Sequence, residues 1–207
     1  MELKKEREMV AATMRRLYNQ KLTTASGGNV SLRADNKVLI TASQIDKGLI
    51  TGEQVAILTS GGNNLTPELK MSMEYNIHLS IYTKRPDVKA IVHAHPVFAT
   101  GFAIAGKLFK TSLSGEFRAI LGKPVLAKYV LMGTTDLAQS VSDAATRGNL
   151  ILMANHGVLT TGRTLFEAYD RMEVAEACAK MNIVTGLIGQ STSLNPQQLR
   201  EIDSLFS

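Results

Sequence analysis

Of the four histidines in the chain, His93 and His95 stand one residue apart, at the end of the apolar run in KAIVHAHP (Lys89 to Pro96). Residues two apart on a strand point to the same face, so these imidazoles can serve one cation. Taken alone, the pair reads as ordinary hydrogen-bonded histidines on a strand end. A third, His156, closes a second apolar run in LILMANHGV. Strand ends along one sheet edge are frequent ligand sites in α/β folds. If the two strands are neighbours, three imidazoles converge and leave an open coordination position, as catalytic zinc sites require.

Glu74, in KMSMEYNIHLSIY, is expected mid-helix and is the candidate base or exchangeable fourth ligand beside a trihistidine site. His78, one turn later on the same face, reads as a structural histidine that hydrogen-bonds within the fold. The segment SGGNVS (Ser26 to Ser31) joins a helix to a strand. Gly27 and Gly28 permit close backbone approach, so their N–H groups can form an anion nest, with Ser26 and Asn29 adding donors. The stretch does not match the phosphate loop that ends in Gly-Lys-Ser/Thr.

The elements that must position these residues are legible in outline. Residues 2–21 read as a helix with Met9, Met14 and Leu17 as core contacts. NVSLRADNKVLITAS reads as two strands joined by a turn at Asp35-Asn36, followed by a helical turn and a strand from Val55 to Leu58. Thr66, Pro67 and Glu68 predict a helix start, with the helix running to about Lys84. VKAIVHA is a buried strand, and a loop-rich segment follows through GKLFKTSLSGEFRAILGKP. VLAKYVLM is a strand candidate, with Tyr129 as strand packing. Residues 136–148 form a helix, NLILMAN a buried strand, and Thr164 with Glu167 caps a helix to about Ile183. Asn195-Pro196 opens a last short helix. Mixed strands and helices give an α/β class, with hairpins as well as crossovers, in one domain over residues 1–207.

Composition narrows the function. The 207 residues are 44% hydrophobic and 20% charged, an ordinary globular balance. A net charge of +5 is compatible with an anionic substrate. Aromatics make up only 5%, with no stacking platform interleaved with basic residues, which argues against nucleic-acid binding. One cysteine, Cys178, excludes an intramolecular disulfide and reads as a small buried side chain. The charged N-terminus and the lack of a spanning apolar run lead to the expectation of a cytoplasmic protein with no membrane partner.

Together, SGGNVS, ITAS, SMEY with its following histidine, RPDVKAIVHAHP and NHGV resemble the class II aldolase/adducin family, in order and spacing from about residue 5 to 185. Within it the chain looks most like the L-fuculose-phosphate aldolase-like branch. The resemblance implies a single α/β/α domain with a mostly antiparallel sheet, assembled as a homotetramer with sites between subunits. It implies that His93, His95 and His156 bind zinc or a similar divalent metal, and that Glu74 is the acid/base. Gly28, Asn29, Ser43 and Ser72 fall where the family holds the substrate phosphate. Such enzymes cleave a ketose phosphate reversibly to dihydroxyacetone phosphate and an aldehyde, through an enediolate that the cation stabilises.

Three positions depart from the family pattern. The Pro-Ser-Ser-Glu-like run is here Met71-Ser72-Met73-Glu74, and the usual Ser-Gly pair is Ser43-Gln44. The second proton donor of fuculose-phosphate aldolases, a tyrosine, has no match, and Glu116 stands in that segment. A carboxylate there resembles the dehydratase branch acting on methylthioribulose phosphate, which makes Glu116 a candidate catalytic residue and a dehydratase the alternative. A pentulose-phosphate 4-epimerase and a non-catalytic adducin-like module are the remaining readings. The first needs acid/base residues late in the chain. The second would lack the metal ligands present here.

Overall fold

The computed structural model describes residues 3–189 and 191–206. Seven strands form one sheet: β1 (Asn29–Ala34), β2 (Lys37–Thr41), β3 (Val55–Thr59), β4 (Ala90–Ala94), β5 (Val125–Ala127), β6 (Leu150–Met153) and β7 (Gly157–Gly162). Their order is β3-β2-β1-β4-β7-β6-β5. Every pairing is antiparallel except β5 with β6. The mixed succession of elements alone suggests a more parallel sheet. Tight connections prevent it: β1 turns into β2 at Asp35-Asn36, and β6 into β7 at residues 154–156, and two-strand turns of this length force antiparallel neighbours.

Helices cover both faces, because strand side chains alternate. Leu39 and Val92 pack on one side with α1 (Lys4–Asn19), α3 (Val97–Ile104) and α6 (Leu165–Ile188), through Val10, Met14, Ala103 and Met172. Val38, Ile40 and Ile91 face the other side, against α2 (Tyr75–Lys84) and α5 (Thr135–Ala145), through Ile77, Ile81 and Val141. The result is the three-layer α/β/α arrangement with a mostly antiparallel sheet. The remaining helices, α4 (Gly115–Leu121) and α7 (Pro196–Phe206), pack together beside α6. Cys178 is fully buried in α6.

Several local expectations need correction. Met14 and Leu17 are buried, but Met9 is 46% exposed. The helix signalled at Thr66 begins only at Tyr75. The Thr66 hydroxyl is engaged elsewhere: it accepts from Ile57 N at 3.0 Å and donates to Asn64 Oδ1 at 2.9 Å. Lys70 O accepts from Ser43 N at 2.8 Å, so residues 66–73 lie as a strap over the end of β2 and β3. Glu74 is therefore the residue before α2 and not mid-helix. The VLAKYVLM strand stops at Ala127, leaving Tyr129 58% exposed instead of packed. The loop-rich segment contains α4, α3 precedes it, and β7 follows His156; all three escape the sequence pattern.

Candidate metal centre and anion pocket

The pairing of β4 with β7 brings the histidines together. Ala94 lies opposite Val158 and His93 opposite Leu159, so the end of β4 meets the β6–β7 turn that carries His156. The ring centroids of His93 are 4.8 Å from His95 and 4.9 Å from His156. The ligand-capable nitrogens of all three lie within 4.8 Å of one another. The turn needs Gly157. A Cβ there would sit 2.6 Å from His95 Cδ2 and 2.8 Å from the Ala94 carbonyl.

His93 is oriented by the backbone. Its Nδ1 lies 2.9 Å from Val158 O, and a carbonyl only accepts, so Nδ1 carries the proton. Nε2 is left as a bare lone pair, buried and without a hydrogen-bond partner. It faces Glu74 Oε2 at 3.3 Å. Glu74 Oε1 lies 3.0 Å from His156 Nε2 and is likewise buried without a hydrogen bond. Burial also holds His93 below its usual range and His95 down at about 3, so neutral imidazoles are favoured. Burial opposes the charge on Glu74, but positive charge at the facing His93 and His156, carried by the rings or by a cation they hold, together with the Asn29 amide, outweighs it and keeps the carboxyl well below the usual range. A bare, unpartnered imidazole lone pair held against a carboxylate is the environment a divalent cation completes. The donor set of three imidazoles therefore fits such an ion.

A cavity of about 390 Å³ opens onto this centre. Gly28, Asn29, Ser43 and Ser72 all line it, together with Glu74, His95 and His156. Gly28 has φ 69°, and a Cβ would lie 2.5 Å from His93 O. Gly28→Ala is expected to cost about 2–4 kcal/mol in chemical denaturation, from left-handed strain plus the displaced β4 carbonyl. An unchanged midpoint would contradict the close approach. The Asn29 side chain donates to Glu74 Oε2 at 2.9 Å and to Ser72 Oγ at 3.2 Å. Gln44 takes a left-handed conformation at φ 58°.

Glu116 is not brought to this cavity. It is exposed in the first turn of α4, whose buried side, Phe117, Arg118 and Leu121, faces the protein. Lys47, by contrast, was not anticipated. It lines the cavity, is 2% exposed, and its Nζ donates to Ala42 O at 2.6 Å. Among the described residues no carboxylate pairs with it. Burial pushes its ammonium down to about 8 from the usual 10.5. A single lysine in the polar stretch QIDKG carries no periodicity to mark it as buried.

The chain matches the model of the Class II Aldolase and Adducin N-terminal domain over residues 8–183. It belongs to that family. An L-fuculose phosphate aldolase of Methanococcus maripaludis (strain S2) is 34% identical over 82% of this chain and 92% of its own length. A 3-oxo-tetronate 4-phosphate decarboxylase of Haemophilus influenzae is 33% identical over 85% and 86%. A solved L-fuculose 1-phosphate aldolase, 28% identical, superposes with a TM-score of 0.89 over 97% of this chain and 95% of that one. The chain is thus a class II aldolase, an enzyme of the lyase type in a family that depends on a divalent metal. No helix among the described residues is long and apolar enough to cross a membrane.

Proposed function

We propose that the chain cleaves a ketose 1-phosphate of the L-fuculose type to dihydroxyacetone phosphate and an aldehyde, with zinc as the metal, as a single-domain homotetrameric cytoplasmic enzyme. The observation that carries this reading is the convergence of three imidazoles and Glu74 at the base of a cavity lined by anion-binding groups. Three imidazoles suit zinc with an open position. Exposed Met73, Leu131 and Met132, around the strap and the segment after β5, support burial between subunits.

His93, His95 and His156 would hold the cation, which supplies a Lewis acid for the carbonyl and hydroxyl oxygens of the sugar. Glu74 moves the proton on and off carbon through Oε1, the oxygen that Asn29 does not hold and that lies beside His156. Oε2 is held by Asn29, so that side chain serves the base rather than the phosphate. Ser72 Oγ accepts from Asn29 and from Glu74 N, which leaves its own proton for the phosphate. Ser43, the Gly28 backbone and the Lys47 ammonium complete the phosphate site, and remote binding of this kind orients the reacting end. We assign Glu116 no part in the cavity of its own chain.

Lys47→Met is expected to raise KM for the phosphorylated ketose about 10–100-fold, the worth of a charge-assisted hydrogen bond, with a smaller change in kcat. The same substitution should stabilise the ligand-free protein near pH 7. The folded chain releases the lysine proton near pH 8 and the unfolded chain near 10.5, so between those values the unfolded state binds more protons and stability rises with pH. Below pH 8 the buried charge costs roughly 3 kcal/mol. In urea unfolding the variant should lead wild type at pH 7, with the lead shrinking toward pH 10. A variant less stable than wild type at pH 7 would refute the burial cost.

The function is tested by incubating the zinc-loaded enzyme with L-fuculose 1-phosphate and related ketose phosphates and identifying the products. Release of dihydroxyacetone phosphate supports the aldolase. The similarity to a named decarboxylase makes carbon dioxide from a phosphorylated keto acid the informative contrary product, and loss of water alone would favour the dehydratase.

A further inference from the structure

Glu74 is not held by the Asn29 amide alone. Behind that amide runs a buried line of hydrogen bonds that ends outside the cavity. His78 Nε2 lies 2.5 Å from Asn29 Oδ1. His78 Nδ1 lies 2.6 Å from Ser31 Oγ, and Ser31 Oγ lies 2.7 Å from the Tyr82 hydroxyl. Asn29, Ser31, His78 and Tyr82 are 3%, 0%, 1% and 6% exposed. None of the last three lines the cavity.

The polarity of this line follows from donor and acceptor chemistry. An ionised carboxylate only accepts, so the Asn29 NH2 group faces Glu74 and its Oδ1 faces His78. An amide oxygen also only accepts, so His78 Nε2 must carry a proton. His78 is held neutral, since its complete burial, with no carboxylate against the ring, pushes it down to about 3, and Nδ1 is therefore a bare acceptor. Ser31 then donates to Nδ1, and its oxygen accepts from the Tyr82 hydroxyl at 2.7 Å, the shorter of that hydroxyl's two contacts, Lys89 O lying at 3.3 Å. Rotating the Asn29 amide by half a turn would set its oxygen against the carboxylate and its NH2 against the Nε2 proton. Both ends of the line oppose that rotation.

The structure assigns His78, backed by Ser31 and Tyr82, as a positioning residue: it locks the Asn29 amide so that Glu74 Oε2 is tethered and Oε1, on the His156 side, is the oxygen left to carry the proton. His78 touches neither cavity nor substrate and acts only through Asn29. The two residues that anchor the tether come from separate elements, β1 and α2, so the sheet and the covering helix jointly fix the base. In a buried setting an unpartnered amide oxygen is costly, so loss of the Nε2 proton donor would release the amide to other orientations.

This inference rests on the acid/base role proposed for Glu74, and a double-mutant cycle separates the two. In zinc-loaded protein with L-fuculose 1-phosphate, His78→Leu, which keeps volume but removes the donor, is expected to lower kcat about 10–100-fold with KM within about twofold. His78→Gln, which restores an N–H and an acceptor, is expected to recover most of that loss. In a Glu74→Gln background, His78→Leu should cost less than about twofold further, because nothing is left to position. Full turnover by Glu74→Gln would overturn the reading of Glu74 itself. An inactive Glu74→Gln together with an unimpaired His78→Leu, or with an equal loss in both backgrounds, would overturn the positioning role alone. If His78→Leu fails to fold, the 15N-resolved imidazole spectrum of zinc-loaded wild type decides. The neutral Nε2–H form of His78 supports the line as drawn, and a charged or Nδ1–H form overturns it.

Discussion

Replacing Glu74 with glutamine should lower kcat about a thousandfold while the protein still binds stoichiometric metal. A positioned general base commonly contributes about 10²–10⁴ in rate, and the amide has no basic oxygen to take a proton from carbon. The substitution is otherwise mild. Glutamine offers the Asn29 amide, now 2.9 Å from Oε2, a carbonyl acceptor in the same place. The three imidazoles are untouched, and His93 remains oriented by Val158 O. Loss of turnover with retained metal would therefore isolate the proton-moving step. Full activity in the variant would mean that another group moves the proton. Loss of metal along with activity would mean that Glu74 serves as a ligand.

His156→Ala should weaken zinc binding at least about 100-fold and reduce turnover to that of the chelator-treated enzyme. Of the three histidines this one gives the clearest reading. His93 is 1% exposed in a central strand, and its removal would leave a hole in the core and an unpaired Val158 carbonyl. His156 lies on the β6–β7 turn at the cavity wall, only partly buried. Its loss should alter metal content more than folding. Metal analysis after dialysis, alongside a melting curve, checks both. A variant that keeps tight zinc and full activity would remove His156 from the centre.

Much of this site was legible because strand chemistry is periodic. His93 and His95, two apart at a strand end, had to share a face, and a third histidine after another apolar run completed the set. The neighbour was less readable. The neighbour that carries His156 to β4 is β7, which begins just after that residue and was hidden because GVLTTG is buried throughout and so lacks the alternation of a half-buried strand. Glu74 was singled out as the candidate base, but its setting before α2 was not foreseen. A sound capping pattern at Thr66 lost to tertiary hydrogen bonds with Ile57 and Asn64, and the resulting strap carries Ser72 and Glu74 to the cavity. The α3 segment VFATGFAI is apolar on most sides and lacks the stripe that marks a surface helix. Lys47 and the line from Tyr82 to Asn29 depend on burial and side-chain direction, which spacing does not encode. His78, by contrast, was read correctly as a histidine satisfied within the fold, although its partners tie it to the base.

The central claim is that the trihistidine centre and Glu74 together move a proton at the carbon next to a phosphorylated ketone's carbonyl. It can be tested without knowing the aldehyde. Dihydroxyacetone phosphate is incubated in deuterium oxide with the zinc-loaded enzyme and followed by proton NMR. The account predicts stereospecific exchange of one hydrogen at the hydroxymethyl carbon, abolished by metal removal and by Glu74→Gln. No exchange by the zinc-loaded wild type, or equal exchange by Glu74→Gln, would contradict it.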